Sequence, residues 1–336
     1  MIARARAPTR LDLAGGFTDV PPYSARVGGA VTSVAISLYA HAVVRRRRGG
    51  VALHALDYGA HVSARRAGEL PVEGDLALLA AAAKRHGPRG DFEIVTHADY
   101  PPGSGLGGSG AMGVAVVAAL ATARGVTPLR AELAQQAHRL ETRDAKVPGG
   151  KQDQYCAALG GFEFLEFEDP AVRATRLEPP AVCVRDLEQH LVLCYAGASR
   201  FSGGTITRVM ERYEAGDRAV TAALEGIRAC GVAMREVLLR GDVAAVGEVL
   251  TEDWRHMQAL GPELRTPAMR ALEEAAAGAG VRAWKAFGSA AGGCLLFLAP
   301  PGEEPAVAEA LRGAGGTVLR YTFDVTGVEA WNSQER

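Results

Sequence analysis

The segment Tyr100–Gly113 reads YPPGSGLGGSGAMG: six glycines and two serines stand directly ahead of an apolar run. A backbone this bare lets several amide N–H groups converge on one anion without side-chain interference. A helix start at that point adds unpaired N–H donors and about half a unit of positive charge. Loop and helix together make a cradle for phosphate. Gly103–Gly108 satisfies GxGxxG, but two prolines precede it where a strand should run straight into the turn. No Asp or Glu follows until Glu132, so the ribose-binding acid about 20 residues on is missing. GK[ST] occurs nowhere, which excludes a Walker A loop. Gly107–Ala111 narrowly misses GxSxG, because Ala111 replaces the last glycine. A glycine turn without a ligand is the bland alternative. The order Pro-Pro, Gly-Leu-Gly, Ser109 speaks against it.

The elements around this loop follow from periodicity. Phe92–Thr96 (FEIVT) is a short strand leading toward it, and a helix from about Ala111 to Arg124 leaves it. Pro128 suits the first turn of a further helix, which carries Leu133 and Leu140 and ends near Asp144. Gly149-Gly150 breaks the chain, Gln152–Leu159 is a short helix, and Gly160–Glu168 (GGFEFLEFE) alternates as a strand. Nearer the start, Ala30–Ile36 and His41–Arg45 are β-like, and Arg45–Arg48 before Gly49-Gly50 is expected to form a solvated hairpin tip. The Pro-rich stretch at Glu178–Pro180 marks a boundary, giving domains 1–180 and 181–336. Beyond it come a strand at His190–Tyr195 and helices at about Gly204–Ala215, Asp217–Arg240, Val243–Ala259 and Pro267–Ala277. Strands at Gly292–Leu298 and Thr317–Phe323 flank a last helix near Pro305–Gly313. Helices and strands mix without regular βαβ repetition, so the fold class is α+β.

Composition narrows the partners. The 336 residues suffice for two domains, and 48% are hydrophobic. A net charge of −1 argues against nucleic acid or an anionic membrane as partner. No apolar run reaches the roughly 18–20 residues that span a bilayer. The five cysteines form no CxxC pair, and no signal peptide is evident, so a reducing cytoplasm is expected. His54, His97, His138 and His190 have no metal-ligand spacing.

PPGSGLGGSGA resembles the central phosphate-binding motif of the GHMP kinases, usually P-x-x-x-G-L-G-S-S-A. Gly108 stands where the first serine is usual and Gly110 where alanine is. Arg6–Tyr23 (RAPTRLDLAGGFTDVPPY) is similar to the family's opening motif in its sugar-kinase form. Lys285–Phe297 (KAFGSAAGGCLLF) is similar to its third, glycine-rich motif, a loop that can brace the first or touch the substrate. AGGFTDVPPY, Gly28-Gly29-Ala30 and Gly149–Phe167 match best the branch acting on heptose 7-phosphates. The resemblance spans nearly the whole chain. It implies a two-domain fold, ribosomal-protein-S5-like then ferredoxin-like, with the active site between. The implied reaction moves phosphate from ATP to the anomeric hydroxyl of a sugar or sugar phosphate, with Mg2+.

The resemblance also assigns roles. Asp153 is the base that takes the alcohol's proton, although an acid after Gly149-Gly150 can equally cap the short helix. Arg10 is the cation beside it, and Asp19 the acid for sugar hydroxyls. ATP's phosphates fall to Pro102, Gly103, Ser104, Gly105, Leu106, Gly107, Gly108, Ser109 and Gly110. Ser109 and Glu141 hold magnesium, which commonly takes one or two protein oxygens plus phosphate and water. A second, distal phosphate needs its own cations, for which Lys151 and Arg200 are candidates, with Ser202 as hydroxyl donor. Leu56-Asp57-Tyr58 is a candidate wall for the adenine. The partners implied are a small sugar or sugar phosphate, with a homodimer left open. A fucokinase- or galactokinase-like enzyme is the nearer alternative. A non-catalytic sensor is the more distant one, disfavoured because Asp153, Glu141 and Ser109 are all present.

Overall fold

A computed structural model describes residues 2–197, 202–288 and 291–334, without the side chains of Ser202 and Gly203. The chain opens with β1 (Ile2–Ala14), a four-residue helix α1 (Tyr23–Arg26) and the long β2 (Gly29–Arg46). There follow β3 (Val51–Ala55), β4 (Ala60–Ala64), α2 (Ala77–His86), β5 (Phe92–Ala98), α3 (Gly108–Ala123) and α4 (Arg130–Arg139). A π-helical turn (Leu140–Asp144), α5 (Gln152–Leu159), β6 (Phe162–Glu168) and β7 (Ala171–Leu177) complete the first half. Next come α6 (Ala181–His190), β8 (Leu191–Tyr195), α7 (Ser202–Glu214), α8 (Arg218–Arg240), α9 (Val243–Ala259) and α10 (Pro267–Gly278). The chain closes with β9 (Ala283–Ala286), β10 (Cys294–Leu298), α11 (Glu304–Gly313), β11 (Thr317–Leu319) and β12 (Glu329–Ser333).

Two sheets result, in agreement with the α+β expectation. The eight-stranded one runs β12-β1-β2-β5-β3-β4, with β6 and β7 attached through β2. The four-stranded one runs β11-β8-β10-β9 and is antiparallel throughout. β2 is a single 18-residue strand across both β-like stretches read from the sequence. Its length lets one edge pair with β6 over Gly29–Val34 and with β5 over Ala40–Arg46. The arginine run is therefore no hairpin tip: β5 lies between β2 and β3 and is parallel to β3. Arg45, Arg46 and Arg48 are still exposed, the first two at the end of β2 and the third beyond it. β12 returns to β1, Ile2 opposite Ser333, so the last strand belongs to the first sheet.

α3 is apolar all round and buried along most of its length, as its sequence requires. It packs on β1 and β2, with α2, α4 and α5 around it. The opposite face of β1 and β2 receives α8 and α9. From Arg10 to Ala14 β1 is buried, and the charge it carries there must find a partner inside. α8 and α9 start where Asp217 and Asp242 accept from first-turn amides, and α8 stops at the left-handed Gly241. α4 begins two residues later than Pro128 suggests. Glu132 turns back to accept from the Leu129 amide at 2.9 Å, which sets the start there.

Candidate active site

Because α3 is gripped by the core on all sides, its N-terminus has a fixed place. Gly107 takes a left-handed turn (φ 73°) just before the helix and contributes no side-chain cap. The first intrahelical bond is Ala111 N–H to Gly107 O at 3.0 Å, so the amides ahead of it are free for an anion. The two departures from the family pattern have local causes. A Cβ at Gly108 would lie 2.3 Å from the Tyr100 ring, whose hydroxyl donates to Gly108 O at 2.7 Å. A Cβ at Gly110 would lie 2.6 Å from the Cβ of Asp153. The third glycine-rich stretch braces the first, one of its two expected roles. Cys294 N–H donates to Ser104 O at 2.7 Å, and Gly105 and Gly288 approach too closely for a side chain on either.

α5 brings Asp153 to the same place. Arg10, from β1, donates twice to Asp153 Oδ1, from Nε at 2.9 Å and from Nη2 at 2.7 Å. Its Nη1 donates to Gly105 O at 2.6 Å, tying base and glycine loop together. Arg10 is 3% exposed. Burial alone would lower its pKa, but the charges of Asp153 and Asp12 outweigh it and hold the guanidinium firmly protonated. Asp153 Oδ2 accepts nothing from the described residues and is left for a ligand.

Asp19 does more than line the cleft. Its Oδ2 accepts from the Gln152 amide at 3.0 Å and its Oδ1 from Gln152 Nε2 at 3.2 Å. It therefore caps the helix that carries Asp153, and Gly150 has to be glycine because a Cβ would meet Asp19 at 1.8 Å. Burial pushes its pKa up to about 6. Glu141, on the π-helical turn, accepts from Ser109 Oγ and from Gln154 Nε2, each at 2.5 Å. Burial first, and Asp153 with it, pushes Glu141 up to about 7. Among the described residues neither of these two partners is a cation. A buried carboxylate held only by neutral donors, beside a hydroxyl, is a donor set suited to a divalent cation.

The remaining candidates fall elsewhere. Lys151 Nζ contacts Asp169 Oδ1 at 2.5 Å and Pro170 O at 3.2 Å, and it does not line the cleft. Arg200 lies outside the described residues, and Ser202 begins α7 with its side chain outside them. Asp57 and Tyr58 line the far end of the cleft, whereas Leu56 points to solvent. Tyr100, Gln152 and Gln154 were not singled out from the sequence. The signal for the glutamines was present: helical geometry sends Gln152 and Gln154 to opposite sides of Asp153, one to each neighbouring acid.

All of these acids open on one cleft of ≈ 450 Å³, a usual size for a small ligand. One wall is the glycine loop, another the turn holding Phe17 and Asp19, and Phe287 and Gly288 close the side. Residues 75–161 match the model of the GHMP kinases N terminal domain, and residues 234–317 that of the GHMP kinases C terminal domain. The chain belongs to the GHMP kinase family and is an ATP-dependent sugar kinase that transfers phosphate to an alcohol group. It is 29% identical to the D-glycero-alpha-D-manno-heptose 7-phosphate kinase of Campylobacter jejuni, over 98% of each chain. The solved D-glycero-D-manno-heptose 1-phosphate kinase from Bacteroides thetaiotaomicron superposes with a TM-score of 0.82 at 28% identity, covering 99% of this chain and 100% of its own. The galactokinase of Lactococcus lactis, solved with galactose, shares the fold at TM-score 0.76 and 17% identity, over 98% of this chain and 95% of its own.

Proposed function

We propose that this kinase phosphorylates the anomeric hydroxyl of a heptose 7-phosphate, giving the 1,7-bisphosphate. The supporting observation is that the amides at the start of α3 and the Arg10–Asp153 pair share one wall of one cleft. In this reading the loop from Pro102 to Gly110 receives the nucleotide's phosphates, and the base lies toward Asp57, Tyr58 and Met112. Asp153 Oδ2 takes the proton of the acceptor hydroxyl as the hydroxyl oxygen bonds to the γ-phosphorus and the bond from that phosphorus to the β,γ-bridging oxygen breaks, releasing ADP. Arg10 keeps Asp153 aimed, and adds positive charge beside the moving phosphoryl group. Ser109 and Glu141 hold Mg2+, which neutralises phosphate charge when bound. Asp19 keeps the helix of Asp153 in place and presents its remaining lone pairs to the sugar. Arg200 and Ser202 bind the distal phosphate. Ile206, one turn further along α7, lines the cleft. The domain boundary falls near residue 180.

One observation favours a second reading, an unphosphorylated sugar as acceptor. Among the described residues lining the cleft, Arg10 is the sole lysine, arginine or histidine, and Asp153 already engages it. Titration calorimetry with heptose 7-phosphate against free heptose and fucose decides between the two. Heat only with the unphosphorylated sugars removes the first. In a coupled ADP-release assay, Asp153→Asn is expected to lower kcat by about 10²–10⁴-fold. Undiminished turnover means that another group takes the proton.

A further inference from the structure

Away from the cleft, the structure buries a second set of charges. Lys285 Nζ in β9 lies 2.6 Å from Asp253 Oδ2 in α9 and 3.3 Å from Asp12 Oδ1 in β1. The side chains are 0%, 0% and 1% exposed. Three titratable groups sealed from water are a poor way to stabilise a fold, since apolar side chains of similar volume commonly serve as well or better. What the three groups touch gives them another use.

Both acids bear on the turn after β1. Asp253 Oδ1 accepts from the Gly15 amide at 3.1 Å. Asp12 Oδ2 sits where a Cβ of Gly16 would be, 2.1 Å from that position. Gly15 adopts φ 102°, and a side chain on it would strike Ala30 O at 2.0 Å. The turn is tightened by Thr18 Oγ1, which donates to Gly15 O at 2.6 Å and accepts from the Ala30 amide at 3.1 Å. Phe17, Asp19 and Val20 leave this turn to line the sugar side of the cleft. Lys285, for its part, lies two residues before Phe287. From there the chain runs into the backbone packed against Gly105 of the phosphate loop. The cluster thus stands at the root of both walls and joins them through one ammonium group.

We propose that Lys285, Asp12 and Asp253 are positioning residues for phosphoryl transfer: they set the sugar-side turn against the phosphate-side loops. The idea rests on the cleft being the kinase site. An error of about 1 Å between donor and acceptor costs roughly 100-fold in rate, so the effect belongs in kcat.

Removing one charge alone strands the others, so the test uses a charge-free cluster, Asp12→Asn with Asp253→Leu and Lys285→Met, assayed beside the wild type. The variant is expected to fold, to keep its KM for ATP within about threefold, and to lose about 100-fold in kcat with the sugar. Using Asp253→Asn in place of Leu restores an acceptor for the Gly15 amide and is expected to recover part of the rate. A triple variant that turns over like wild type overturns the proposal and leaves the kinase reading intact. A triple variant that does not fold also overturns it, because the cluster is then structural. A wild type inactive with ATP and every sugar overturns both.

Discussion

The Lys285 cluster and the cleft-facing set of Arg10, Asp153, Asp19 and Glu141 both gather charge, most of it buried, but they are balanced differently. In the first, one cation touches both acids and water reaches none of them. In the second, the one cation touches only Asp153, and Asp19 and Glu141 are held by neutral amide and hydroxyl donors. In the sealed cluster the cation lies within ion-pair distance of both acids. The open one is short of positive charge, which the proposed Mg2+ would supply.

The difference has a sign that stability measurements read. Lys285→Met leaves two carboxylates together in a dry site and is expected to lower unfolding free energy by about 3–5 kcal/mol. Glu141→Gln removes a charge that has no cation, so the unliganded protein is expected to melt at the same temperature or higher. Its kcat/KM falls by about 100-fold. Chemical denaturation and a coupled assay check both. Similar destabilisation by the two changes breaks the distinction.

Asp19 sharpens it through pH. Its folded pKa, about 6, lies above its ordinary value of 3.8. Between these the native state keeps a proton that the unfolded chain has released, so stability falls as pH rises through that window, by up to about 3 kcal/mol. Glu141 and Asp253 slope the same way, so the quantity to follow is the difference between wild type and Asp19→Asn in urea unfolding from pH 4 to 8. That difference is expected to move in favour of the variant as pH rises. A flat difference means that the carboxylate is not ionising in a buried site. The smallest effect is expected at Tyr100→Phe, which removes the bond to Gly108 O and costs about 1 kcal/mol. Equal stability there means that the ring alone holds the loop.

Much of this was legible in the sequence where a signal is local. Gln152–Leu159 and Val243–Ala259 coincide with α5 and α9 because caps, breaks and apolar spacing lie within each segment. Ser109 and Glu141 meet as their motif implies. What could not be read were features supplied from far along the chain. The side-chain cap of α5 is Asp19, from a turn more than a hundred residues earlier, while the Lys151 side chain at the cap position makes no cap bond. Lys285 was visible only as the first letter of a glycine-rich stretch, since its partners are on β1 and α9. The arginine run looked like a hairpin because consecutive strands usually pair. Nothing local says that β5 takes the place between them.

The pairing of β1 with β12 bears on how the molecule is made. Ile2–Arg6 meets its partner, Glu329–Ser333, only after the whole intervening chain has been synthesised. Until then the flank of β1 presents a row of unpaired amides and carbonyls, the kind of edge on which neighbouring chains stick. Closing a loop that long is also slow relative to the local contacts around α3. The interval before Glu329–Ser333 has been made is therefore when this edge of β1 is open to misassembly.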